Sequence, residues 1–179
     1  MILEVAAAAV LGLGYLASGE AADSPSVAAP SVAALARLRG LAGDWEGSFE
    51  WSGARRGTGS MNASYSLTGN GSAVVESLVT GGESAMTSVY HLDGTDLRMS
   101  HFCAAQNQPR LKARTIDLGR GVMDFAFVDA TGLPSPRAGH VHGVELRLVD
   151  ADHITLTFLF EGGGQKSRER IALRRLRRT

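Results

Sequence analysis

Gly43-Asp44-Trp45-Glu46-Gly47-Ser48-Phe49-Glu50-Trp51 is the stretch in which the hydrophobic period changes, and the change decides the fold. Before it, Val32, Leu35, Leu38 and Leu41 recur at helical spacing. Within it, Trp45, Phe49 and Trp51 alternate with Glu46, Ser48 and Glu50. A period of 2 places the aromatic side chains on one face of a strand and the polar ones on the other.

Downstream the same period returns at 61–67, 73–79, 86–92, 97–103, 111–116, 123–128, 141–148, 154–160 and 168–176. Turn-forming residues separate these stretches, among them Gly69-Asn70-Gly71, Gly81-Gly82, Asp93-Gly94, Gly119-Arg120-Gly121 and Gly162-Gly163-Gly164. No link is long enough to hold a crossover helix, so neighbouring strands run antiparallel. The expected fold is all-β, an antiparallel up-and-down β-barrel of about ten strands over residues 42–179, preceded by a short N-terminal helix.

Upstream, Ser31 is placed to cap that helix over 31–41, with Arg37 and Arg39 near its end and Gly40 as a stop. Residues 23–30 are rich in Ala, Ser and Pro and read as a linker. The apolar run through Leu16, followed by small residues, reads as a signal peptide over 1–22, although Glu4 is atypical of its charged region. Removal would leave two more basic than acidic residues, and the mature protein is expected to be exported, periplasmic or secreted, without stable membrane insertion. The single cysteine, Cys103, excludes an intramolecular disulfide, so packing alone must hold the fold.

The 179 residues are 44% hydrophobic and 20% charged, enough for one core and too apolar for a disordered chain. Arg168, Arg170, Arg174, Arg175, Arg177 and Arg178 concentrate positive charge at the C-terminus, but no aromatic platform accompanies them, and no nucleic-acid partner is expected.

Gly43-x-Trp45 at the start of the first strand, after a short helix and before a meander of this length, resembles the calycin group of lipocalins, fatty-acid-binding proteins and nitrobindin-like haem barrels. The extended form Gly43-Asp44-Trp45-Glu46-Gly47 is most similar to the nitrobindin-like and uncharacterised exported bacterial relatives. The resemblance implies that Gly43 and Trp45 mark the closed end and that an arginine of a late strand packs across the indole. Arg168, Arg170 and Arg174 each suit that part, with Arg174 the choice adopted. It also implies an interior that holds a small hydrophobic molecule, with haem as a possible cofactor.

Alternation assigns the interior. His101 and Cys103 share a face with Leu97 and Met99; Tyr90 lies with Met86 and Leu92; His140 and His142 are expected with Val144, Leu146 and Leu148. Asn107 and Gln108 follow in a polar turn that is expected to reach the barrel mouth or cap its own backbone. The expected ligand-binding set is therefore His101, Cys103, Asn107, Gln108, Tyr90, His142 and Trp51, and His140 with His142 form a candidate metal pair. Three functions compete: a barrel binding a small, largely apolar ligand without clear catalytic machinery; a haem or metal barrel using inward histidines; and an enzyme with His101, Tyr90 and His142 in its cavity. A Cys103 nucleophile would need a base, and on a flat strand the Cβ of His101 lies about 6–7 Å away.

Overall fold

The computed structural model describes residues 30–177. The signal-peptide reading of 1–22 and nearly all of the linker reading of 23–30 lie outside the described residues. The chain begins with α1 (Pro30–Arg39), one residue earlier than the sequence suggests. Proline suits the first helical position because its missing N–H would have no intrahelical partner there, so Ser31 sits inside the first turn. Ala34, Leu35 and Leu38 form the buried stripe of α1.

Ten strands follow: β1 (Gly43–Gly53), β2 (Gly57–Thr68), β3 (Ala73–Thr80), β4 (Glu83–Asp93), β5 (Asp96–Phe102), β6 (Gln108–Asp117), β7 (Val122–Thr131), β8 (His140–Leu148), β9 (His153–Gly162) and β10 (Gln165–Arg175). Every strand pairs antiparallel with its sequence neighbours, and β1 closes on β10, so the barrel is up-and-down as expected. Closure leaves no free sheet edge. α1 packs on β3 to β6 and stops the end of the barrel at which Trp45 lies.

The interior is mostly filled by side chains of alternate positions, such as Met61, Leu78, Met99, Phe125, Leu146, Leu156 and Ile171, all at most 1% exposed. Inward alternation of β1 brings Phe49 across from Gly59 of β2. A Cβ on Gly59 would lie 2.6 Å from the Phe49 ring. Gly59→Ala is therefore expected to cost about 1–2 kcal/mol, since the half-buried ring must tilt away. A urea titration checks this; an unchanged midpoint would show that the ring has room to move.

Strict alternation fails once in β8. Between Val141 and Gly143 the register with β9 slips by one residue, so Val141 and Val144, three apart, both point inward. The slip turns His140 and His142 to the outside, contrary to the expectation that they share the face of Val144.

Candidate functional site

The closed end is built around Trp45, which is fully buried and donates from Nε1 to the Leu41 carbonyl at 2.9 Å. The Tyr65 ring meets it edge-on at 6.1 Å. Arg175, not Arg174, covers the indole, with its guanidinium carbon 4.3 Å from the ring centroid. Register is the reason: Trp45 pairs with Arg175 on the inner side, whereas Arg174 faces Glu46 outside and forms an ion pair with it. Arg168 and Arg170 likewise lie on the outer wall, beside a surface groove. Arg175 also donates to the Gly40 and Ala42 carbonyls at 2.9 and 3.0 Å, which fastens the end of α1 to the barrel.

A polar row crosses the interior at mid-height. Tyr65, Glu76, Ser88 and His101 are successive register partners on β2, β3, β4 and β5. The Tyr65 and Tyr90 hydroxyls donate to Glu76 Oε2 at 2.7 and 3.1 Å. Burial pushes the Glu76 carboxyl above the usual carboxylate range, against the opposing effect of those hydrogen bonds, and pushes both phenols well up. His101 Nδ1 lies 3.0 Å from Ser88 Oγ, and its ring packs on Phe158 at 5.1 Å. Burial holds the imidazole down to about 4, so it is neutral at pH 7. His101 Nε2 and Glu76 Oε1 have no hydrogen-bond partner.

At the opposite end from Trp45, the barrel keeps a cavity of about 160 Å³. Trp51, Glu169 and Phe158, neighbours across β1, β10 and β9, form one wall. Met86, Val141 and Phe160 add apolar surface, and Cys103, Ala104 and Ala105 close the rim. Arg55 forms the roof, its guanidinium 3.9 Å above the Phe160 ring and 5.0 Å from that of Trp51. The loop bearing Arg55 is tied to β10 through Arg55 N–H to Ser167 Oγ at 3.0 Å. Glu169 is 5% exposed, and burial raises its carboxyl to about 7, with Arg55 pulling the other way. Burial likewise raises the Cys103 thiol.

Of the residues expected at the site, Trp51 and Cys103 line this cavity, while His101 and Tyr90 are inward but lie within the packed core. Asn107 and Gln108 do not line it. Asn107 is 1% exposed and donates to the Gly139 carbonyl at 2.9 Å, which ties its turn to the loop just before β8. Gln108 Oε1 accepts from Thr131 Oγ1 at 2.9 Å. These amides hold the loop and its neighbours, the second of the two roles expected for them. His142 and His140 stack outside on Phe127, so the constellation of His101, Tyr90 and His142 does not converge. His101 Nδ1 meets Ser88 Oγ, and the Cys103 sulfur accepts from the Ala105 N–H at 3.5 Å, so the two side chains are not hydrogen-bonded to each other.

The interior does not fit haem. A cavity near 150 Å³ suits one benzene-sized ring, far less than a porphyrin macrocycle, and His101 lies within packed side chains instead of lining it. Among the described residues no group of three or more His, Cys, Asp or Glu is placed to hold a metal ion.

Glu76, Glu169 and Arg55 were missed in the sequence. The two glutamates share strand parity with Val74 and Leu78, and with Ile171 and Leu173, so alternation carried the signal and their charge concealed it. Arg55 sits in a turn, where parity says nothing.

No protein-family model matches the chain, and no curated protein matches it. Solved structures do. A protein of unknown function from the DUF3598 family of Nostoc punctiforme is 14% identical with a TM-score of 0.54, over 78% of this chain and 49% of that one. Rv2717c from M. tuberculosis is 16% identical with a TM-score of 0.53, over 80% of this chain and 98% of that one. The chain thus spans about half the length of the Nostoc protein. At such identities the likeness concerns the fold alone.

Proposed function

We propose that this protein is an exported barrel that binds a small, largely apolar ligand of about one ring in the cavity at its open end. The observation that supports the reading most is the cavity itself, a space of about 160 Å³ retained between Trp51, Phe158, Phe160 and Met86 in a barrel otherwise filled by side chains. A largely apolar space of this size has room for one aromatic ring. Beneath the Arg55 roof, Glu169 adds a recognition group in the wall, a carboxyl that donates a hydrogen bond when protonated and accepts one, or meets a cation, when ionised. The ligand class is therefore an apolar body with a single polar or basic substituent. The closed end, with Trp45 beneath Arg175, agrees with what the calycin resemblance implies.

Benzene, phenol, indole and benzylamine are the probes. At saturation each is expected to raise the melting temperature, to perturb Trp51 fluorescence and to slow alkylation of Cys103. Ala105→Phe, an exposed rim position pointing a ring at the cavity, is expected to abolish all three effects while leaving the far-UV spectrum unchanged. If none of the probes shifts melting or labelling at millimolar concentration, the cavity is only a packing defect and the reading falls.

A further inference from the structure

We propose that the outer wall of the barrel carries a binding site for a divalent transition-metal ion that favours imidazole, such as Zn²⁺ or Cu²⁺, with His140 Nε2 and His142 Nδ1 as its two protein ligands. The proposal is independent of the ligand cavity and concerns the opposite side of the β8 wall.

Pairing between β7 and β8 ends at Ala126 and Gly143, and Phe127, His140 and His142 fill the wedge beyond. The Phe127 ring lies 4.7 Å from the His140 ring and 5.2 Å from that of His142, stacked within 18° on the latter. Both imidazoles are thereby held against a rigid support. His140 Nδ1 lies 2.9 Å from the Ala138 carbonyl, an arrangement that requires the proton on Nδ1 and leaves a lone pair on Nε2. That lone pair faces His142 Nδ1 at 3.5 Å. The separation is at the outer limit for a hydrogen bond. It matches the ~3.4 Å between two nitrogens that each bind a tetrahedral ion at about 2.0–2.1 Å.

Access and charge agree. The pair opens on a surface recess of about 530 Å³ between the loop before β8 and the β9–β10 hairpin. Across it stands Glu161, the register partner of His140, already paired with Lys166 at 2.8 Å. Arg137 and Lys166 line the same recess, so the local charge is mixed and affinity must come from the imidazoles. Two neutral nitrogens favour Zn²⁺, Ni²⁺ and Cu²⁺ over Mg²⁺ and Ca²⁺. Water would complete the coordination, which leaves an exchangeable site.

The test is calorimetric titration of Zn²⁺ into untagged full-length protein at pH 7.5, with Mg²⁺ as the control ion. One ion per chain is expected, weakened at least tenfold in His140→Ala and in His142→Ala and lost in the double variant. The side chains lie on the outer wall, so the fold should persist, which circular dichroism checks. The electron paramagnetic resonance spectrum of the Cu²⁺-loaded wild type should show coupling to two imidazole nitrogens. Absence of saturable Zn²⁺ binding, affinity unchanged in the double variant, or coupling to fewer than two nitrogens would each overturn the site.

Discussion

Replacing Trp45 by Ala is expected to destabilise the barrel by about 4 kcal/mol, in the range for emptying a buried tryptophan site. Three losses combine at that position. The indole is wholly buried, so its removal leaves a cavity between α1 and the barrel floor. The Leu41 carbonyl loses its Nε1 donor. Arg175 loses the ring beneath its guanidinium, although its bonds to Gly40 and Ala42 survive. For a barrel domain of about 150 residues the melting temperature should fall by roughly 8–16 °C. Trp45→Phe keeps most of the apolar volume but no N–H, and should lose less than half as much. Thermal and urea unfolding of both variants check this. A loss below 1 kcal/mol for the alanine variant would mean that α1 and Arg175 close the barrel without it.

The second large effect concerns pH, and two buried groups oppose each other. His101 is held down to about 4 from an ordinary 6.5. Its contribution to stability is therefore complete above pH 6.5, where neither folded nor unfolded chain binds the proton. It is lost as pH falls toward 4, by about 3 kcal/mol in all. Glu169 is raised from 4.5 to about 7, so its contribution is complete below pH 4.5 and lost as pH rises through 7. Its place at the cavity rim tempers that term to about 2 kcal/mol. Glu76, also raised by burial, acts in the same direction as Glu169. Between pH 4.5 and 6.5 the slopes offset, and wild-type stability should be nearly flat. Glu169→Gln should uncover the histidine and lose stability on acidification through this window, while gaining about 2 kcal/mol relative to wild type at pH 8. His101→Gln should do the reverse and gain stability as pH falls from 7 to 4.5. Chemical denaturation at pH 5, 6.5 and 8 decides the matter; parallel profiles for wild type and both variants would refute the assignment of these slopes.

Ligand binding should share the Glu169 dependence. A basic probe such as benzylamine needs the ionised carboxylate and should bind more tightly at pH 8 than at pH 6, whereas benzene should be indifferent.

Much of this was legible in the sequence. All ten strands, their order and the start of the first at Gly43 follow from period and turn residues, because alternation in a closed barrel directly records inside and outside. Tyr90, His101, Cys103 and Trp51 point inward for that reason. Three positions were decided by something beyond alternation. One extra residue between Val141 and Gly143 reversed His140 and His142, and a bulge leaves no clear mark in composition. The choice of Arg175 over Arg174 depended on a cross-strand register between residues far apart in the chain. Asn107 lies in a turn whose partner, Gly139, is set by the closing of the wall.

By itself, then, the sequence determined the barrel, its closed end and which strand positions face the core, since these follow from local periodicity and turn chemistry. Only the tertiary structure decided whether the interior is filled or hollow. Whether alternating side chains fill the space or leave a cavity depends on how opposite walls meet, and that distance is a property of the closed sheet. The same closure buried Glu76 and Glu169 and moved their acidities, and the same bulge carried two histidines from the expected interior to a common point on the outer wall.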